Sequence, residues 1–172
     1  MGFGEAIRTC FRKYVTFRGR ARRSEYWYFY LFTILGGLAA GILDAIVGGA
    51  TGATESFRNT TGPFAAILNL ALLLPSIAVT VRRLHDRNHS GWVFGGFFIY
   101  LAVAVAAFIG ILGTISAPNA QSNPVAVILG IVLILGGVGY AIFILVQLIL
   151  NGTAGDNRFG TDPKGPNVEV FS

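Results

Sequence analysis

Residues 124–150 read PVAVILGIVLILGGVGYAIFILVQLIL, with Gln147 as the one strongly polar side chain. At ~1.5 Å per residue, a helix of that length measures roughly 40 Å, against a hydrocarbon core of about 30 Å. Three further runs share its character. Residues 92–115 are free of charge, residues 64–81 contain Asn69 and Pro75, and residues 27–47 are interrupted only by Asp44. All four are long enough to span a bilayer, and the two longest are expected to tilt. The composition agrees: 53% of residues are hydrophobic and 12% charged, with a mean hydropathy of +0.64. A soluble domain carries about twice that charge fraction. These features predict an all-α integral membrane protein with four transmembrane helices in a single membrane domain, residues 1–172. No short apolar core with a cleavage site precedes the first run, so a cleavable signal peptide is not expected.

The charges between the runs predict orientation. Arg8, Arg12, Lys13, Arg18, Arg20, Arg22 and Arg23 precede the first run. Arg82, Arg83 and Arg87 lie between the second and third, and Arg158 and Lys164 follow the fourth. The first connection has only Glu55 and Arg58, and the third, around residues 116–123, has no charge. Positive loops stay inside, so both termini, the second connection and the tail, residues 151–172, are expected to be cytoplasmic. The net charge of +5 is explained by this rule and by attraction to anionic lipid, without invoking nucleic acid. Cys10 is the single cysteine, which excludes an internal disulfide and offers no zinc constellation.

Residues 1–17 predict an amphipathic helix. Phe3, Ile7, Cys10, Phe11, Tyr14, Val15 and Phe17 fall on one face, and Glu5, Arg8, Thr9, Arg12, Lys13 and Thr16 on the other. Such a helix is expected to lie in the membrane interface, with packing against the end of the bundle as the alternative. Tyr26, Trp27, Tyr28, Tyr30 and Trp92 mark headgroup level, and Ser24 and Ser90 are expected N-caps. Gly37 with Gly41, Gly36 with Ala40, and the cluster Gly136, Gly137 and Gly139 predict close helix approach. Pro75 is expected to kink the second span. Asp44 is the one ionisable residue inside an apolar run; it is read as an interfacial or loop-bonded carboxylate, with a proton or cation site as the alternative.

Three polar motifs are expected on one face. They are Phe17-Arg18-Gly19-Arg20-Ala21-Arg22-Arg23-Ser24-Glu25-Tyr26-Trp27; Arg82-Arg83-Leu84-His85-Asp86 with Ser90-Gly91-Trp92; and Gly155-Asp156-Asn157-Arg158-Phe159-Gly160-Thr161-Asp162-Pro163. On these motifs the chain resembles the small bacterial inner-membrane proteins grouped as domain of unknown function 805. Thr161 stands where that family often has Pro. The resemblance implies a multi-pass protein of the bacterial inner membrane and brings no established activity.

Two physical readings of the polar face compete. In one, Glu25, Asp156, Asn157 and Arg158 belong to an ion-pair network tying helix ends together, and Arg82 faces Asp86 four residues on. In the other, Arg18, Arg20, Arg82, Arg83, His85 and Asp86 bind an anion, which at headgroup depth means an anionic phospholipid or an acidic partner. Enzymatic readings are weaker: adjacent residues such as His85 and Asp86 diverge by about 100° on a helix, unlike a general base with its orienting carboxylate. His85 and His89 have metal-ligand spacing but no evident third ligand, so neither a metal nor a cofactor is expected. The sequence therefore predicts a non-enzymatic membrane protein whose partners are membrane lipids, with a protein or a second copy as further candidates. A small oligomeric channel or transporter is the alternative function, followed by a lipid-modifying enzyme.

Overall fold

The computed structural model describes residues 1–51, 62–115 and 124–165. Glu55, Arg58, the uncharged third connection and the end of the tail fall outside the described residues. The order is α1 (Phe3–Arg12), α2 (Arg23–Thr51), α3 (Pro63–Asp86), α4 (Trp92–Ile115) and α5 (Pro124–Ile149). The last four are long and apolar enough to cross a membrane. The chain divides into two compact units: Met1–Asn88 with the tail from Gly152, and His89–Asn151.

In the first unit α2 and α3 run antiparallel and are pinned at both ends. At one end Arg82 pairs with Glu25. At the other, both oxygens of buried Asp44 accept backbone N–H groups at the start of α3, from Phe64 at 3.0 Å and Ala65 at 2.9 Å. The first amides of a helix lack intrahelical partners and attract negative charge, so Asp44 caps α3 from a neighbouring helix. Gly62 is required there, because a Cβ would collide with the Asp44 carboxylate. Glu25 and Asp44 are about 28 Å apart along α2, close to the thickness of a hydrocarbon core.

Three boundaries differ from the sequence expectation. Helix α2 begins at Arg23, which places Ser24 inside it and Glu25 in its first turn, where a carboxylate suits the helix dipole. Helix α3 continues to Asp86, since its terminal charged side chains are buried and paired. Helix α1 stops at Arg12, and a Thr16-to-Lys13 turn follows, so Val15 and Phe17 lie beyond the helix. Ser90 acts as expected: its Oγ accepts the Trp92 amide at 3.3 Å.

Helix α1 buries Ala6 and Cys10 and lays Phe11 edge-on to Phe29 and Phe32 of α2. Arg8, Arg12 and Lys13 stay exposed, and Phe3 and Phe11 remain 41% exposed at the margin of the packing on α2. A second attachment follows from Pro75, which lies inside α3 and has no N–H to give the carbonyl four residues earlier. That carbonyl belongs to Ala71, and the Tyr14 hydroxyl donates to it. Gly36 meets Leu68 of α3, whereas positions 37 and 41 have no atom within reach of an added Cβ among the described residues.

The second unit is a pair of apolar helices stitched by two tyrosines. Tyr100 of α4 donates to the Leu133 carbonyl at 2.5 Å, and Tyr140 of α5 donates to the Val93 carbonyl at 2.9 Å. Each hydroxyl needs such a partner in an apolar setting. Glycines seat them: a Cβ at Gly136 or Gly96 would press on the hydroxyl of Tyr100 or Tyr140. An apolar groove of about 340 Å³ runs along the pair, lined by Phe97, Tyr100, Phe108, Leu133, Ile134 and Val138.

Candidate functional site

The last turn of α3 concentrates the polar chemistry. The final carbonyls of any helix lack intrahelical donors, and here the segment before α2 and the tail after α5 supply them. Ala21 N–H donates to the Arg82 carbonyl at 3.0 Å. Asn157 Nδ2 donates to the His85 carbonyl at 2.9 Å, and Thr153 donates to the Asp86 carbonyl through both its amide and its hydroxyl, at 2.8 and 3.1 Å. Asn88 ends the helix in the left-handed region at φ 60, a conformation Asn tolerates, and Arg158 Nη2 donates to its carbonyl at 2.9 Å.

Asp86 is the centre of the ion pairs. It is 2% exposed and accepts from Arg20, whose Nε and Nη2 both lie 2.9 Å from Oδ1, and from Arg83 on Oδ2. The rest of Arg20 is satisfied by the carbonyls of Gly155 and Thr153, each at 2.6 Å. Gly152 lets the tail pass directly over Asp86, because a Cβ at that position would collide with the carboxylate. Gly19 turns the chain back at φ +86, which favours a residue without a Cβ, and its carbonyl faces His85 Nδ1 at 3.2 Å. The His85 ring stacks flat on Phe159, with centroids 3.9 Å apart.

Arg82 does not face Asp86. Its Nη1 donates to Glu25 Oε1 at 2.5 Å, while Arg83 takes Asp86 from three residues away. The side chains of residues 82 and 83 diverge by about 100°, and burial of both forces each to find its own carboxylate. The Cys10 thiol completes the Glu25 side, with Sγ 3.9 Å from Oε1. Burial, reinforced by the Glu25 charge, pushes that thiol up to about 12, so it is neutral and unreactive at ordinary pH.

The remaining sequence candidates take no part in the buried ion pairs. Arg18 is exposed. Asp156 is exposed and accepts the Asp162 amide at 2.9 Å. Asp162 is held below the usual carboxylate range by bonds from the backbone amides of Lys164 and Gly155. Arg158 lies over the Phe159 ring, and Asp44 caps the far end of the unit. Among the described residues no group of three or more His, Cys, Asp or Glu could hold a metal ion. Cys10, Tyr14, Thr153 and Phe159 were not foreseen as partners. Only the Tyr14–Pro75 connection left a trace in the sequence, since a proline inside an apolar span always frees one carbonyl.

These motifs can be set against known proteins. The family described as "Protein of unknown function (DUF805)" matches residues 14–161, which takes in the Arg20, Arg82–Asp86 and Asn157 segments together. The chain belongs to this family. Inner membrane protein YhaH of Escherichia coli K12 is 32% identical over 153 residues, covering 89% of this chain and 91% of that protein. Inner membrane protein YhaI of the same strain is 30% identical over 154 residues, covering 89% and 90%. No solved structure gives a significant match. With four helices able to span and relatives of that location, this member of the family is a multi-pass inner-membrane protein.

Proposed function

We propose that this protein is a non-enzymatic membrane factor that binds anionic phospholipid headgroups at the cytoplasmic leaflet, through the cationic side of α1 and the segment after it. One observation carries the reading: four cations of the N-terminal segment stay exposed while others are buried in ion pairs. Arg20 and Arg83 are buried against Asp86, where they hold the chain together. Arg8, Arg12, Lys13 and Arg18 are exposed, beside the exposed rings of Phe3, Phe11 and Phe17. Rings at acyl depth with cations at phosphate depth suit an interfacial segment, and each cation near an anionic surface contributes about 1 kcal/mol. Helix α1 packs on α2, the alternative of the two expectations for it, and its exposed edge is assigned to lipid. Transport has less support, since both oxygens of Asp44 are occupied in capping α3.

The test is native mass spectrometry of the full chain in detergent with phosphatidylglycerol, cardiolipin and phosphatidylcholine. Wild type is expected to retain the two anionic lipids preferentially, and Arg8→Gln/Arg12→Gln/Lys13→Gln to lose that preference by about tenfold or more. Equal retention of all three lipids by wild type overturns the reading. A stoichiometric protein surviving in place of lipid would point to a protein partner instead.

A further inference from the structure

Arg20 and Arg82 are both buried guanidiniums of the first unit, and they differ in one respect. Arg20 sets its Nε and Nη2 edge on Asp86 and gives its other donors to two carbonyls. Arg82, 0% exposed, gives Nη1 to Glu25, but its Nε and Nη2 have no hydrogen-bond partner among the described residues. Nε–H and the adjacent Nη2–H lie parallel on one edge of the guanidinium plane. That edge matches two oxygens of one phosphate or carboxylate. Native proteins rarely leave a buried donor unmade, because its desolvation is then uncompensated. Two on one edge of a fully buried cation point to a ligand.

Among the described residues, Glu25 is the carboxylate that pairs with Arg82, and it takes only Nη1. The thiol of Cys10 interacts with both Glu25 and Arg82, but sulfur is a weak acceptor and this thiol carries no charge. The cover over this region is α1, a ten-residue helix whose two buried side chains, Ala6 and Cys10, are both small.

We propose that the Nε/Nη2 edge of Arg82, beside Cys10 and Glu25 and beneath α1, binds one phosphate-type oxyanion, at a site separate from the exposed cations of α1. A phospholipid headgroup and free phosphate offer the same pair of oxygens. Either must enter by displacing α1 from above the guanidinium.

The test uses the full chain in detergent after exhaustive washing. Arg82→Lys keeps a cation for Glu25 and removes the two-pronged edge. If the site holds a lipid, wild type retains about one phosphorus per chain more than Arg82→Lys. If it holds free phosphate, no such difference appears; instead, added inorganic phosphate raises the wild-type Tm saturably, and the half-maximal concentration is at least about tenfold higher for Arg82→Lys. Should that variant fail to fold, Glu25→Gln/Arg82→Gln, which neutralises both partners, takes its place with the same expectations. Wild type with neither retained phosphorus nor a phosphate-dependent Tm overturns the proposal without any variant. It is equally overturned if the phosphorus is lost in the Arg8/Arg12/Lys13 triple variant but kept in Arg82→Lys, since the ligand then belongs to the outer face.

Discussion

The two units solve the same problem, holding helices together where lipid competes for every apolar contact, by opposite means. The first joins segments far apart in the chain through single charges: Arg20 reaches Asp86, Glu25 reaches Arg82, and Asp44 reaches the start of α3. The second joins two consecutive helices through close backbone approach and two hydroxyls. Helices have little hydrophobic reason to associate in lipid, so packing and hydrogen bonds decide which pairs form. Charges fix a unique partner but are unforgiving when one is removed; small residues and hydroxyls tolerate more. The first unit should therefore be brittle and the second robust.

The largest expected effect tests brittleness directly. Asp86→Asn leaves Arg20 and Arg83 buried without their carboxylate and should lower stability by about 3–5 kcal/mol, read from unfolding in a denaturing-detergent titration. An alkaline limb comes next. The folded-state pKa of Cys10 is raised to about 12, above its unfolded value, so the associated stability is complete below roughly pH 8.5 and is lost as pH rises through about 12. Unfolding titrations across that window should slope downward for wild type and run flatter for Cys10→Ala. Gly152→Ala drives a Cβ into the Asp86 carboxylate and should cost ~1–3 kcal/mol through overpacking, checked in the same titration. Tyr14→Phe leaves the Ala71 carbonyl without its donor and should cost about 1 kcal/mol. Smallest is Tyr100→Phe in the second unit, at ~0.6 kcal/mol. If Tyr100→Phe proves as damaging as Asp86→Asn, the contrast between the units fails.

The four spans were legible because apolar length is a one-dimensional property, and residues 92–115 and 124–150 announced themselves almost to the residue. That Arg20, Arg82, Arg83, His85, Asp86 and Asn157 would gather was legible too, since they flank the spans on one side. Who pairs with whom was not. Spacing of four suggested Arg82 with Asp86, but local periodicity cannot register Glu25, 57 residues away, as a competing acceptor. The end of α1 was misjudged for a related reason. Apolar alternation persists through Val15 and Phe17, whereas the turn at Lys13–Thr16 depends on how the chain must reach α2. Gly36, Gly136 and Gly137 meet partner side chains as expected, whereas Gly37, Gly41 and Gly139 carry the same signature and meet none among the described residues. Which face of a helix is used is a tertiary fact.

The hydroxyl that answers Pro75 gives the N-terminal helix a hold on the middle of a span. Pulling α1 from its seat would strip that carbonyl of its donor, so detachment of α1 and loosening of the proline region become a single event.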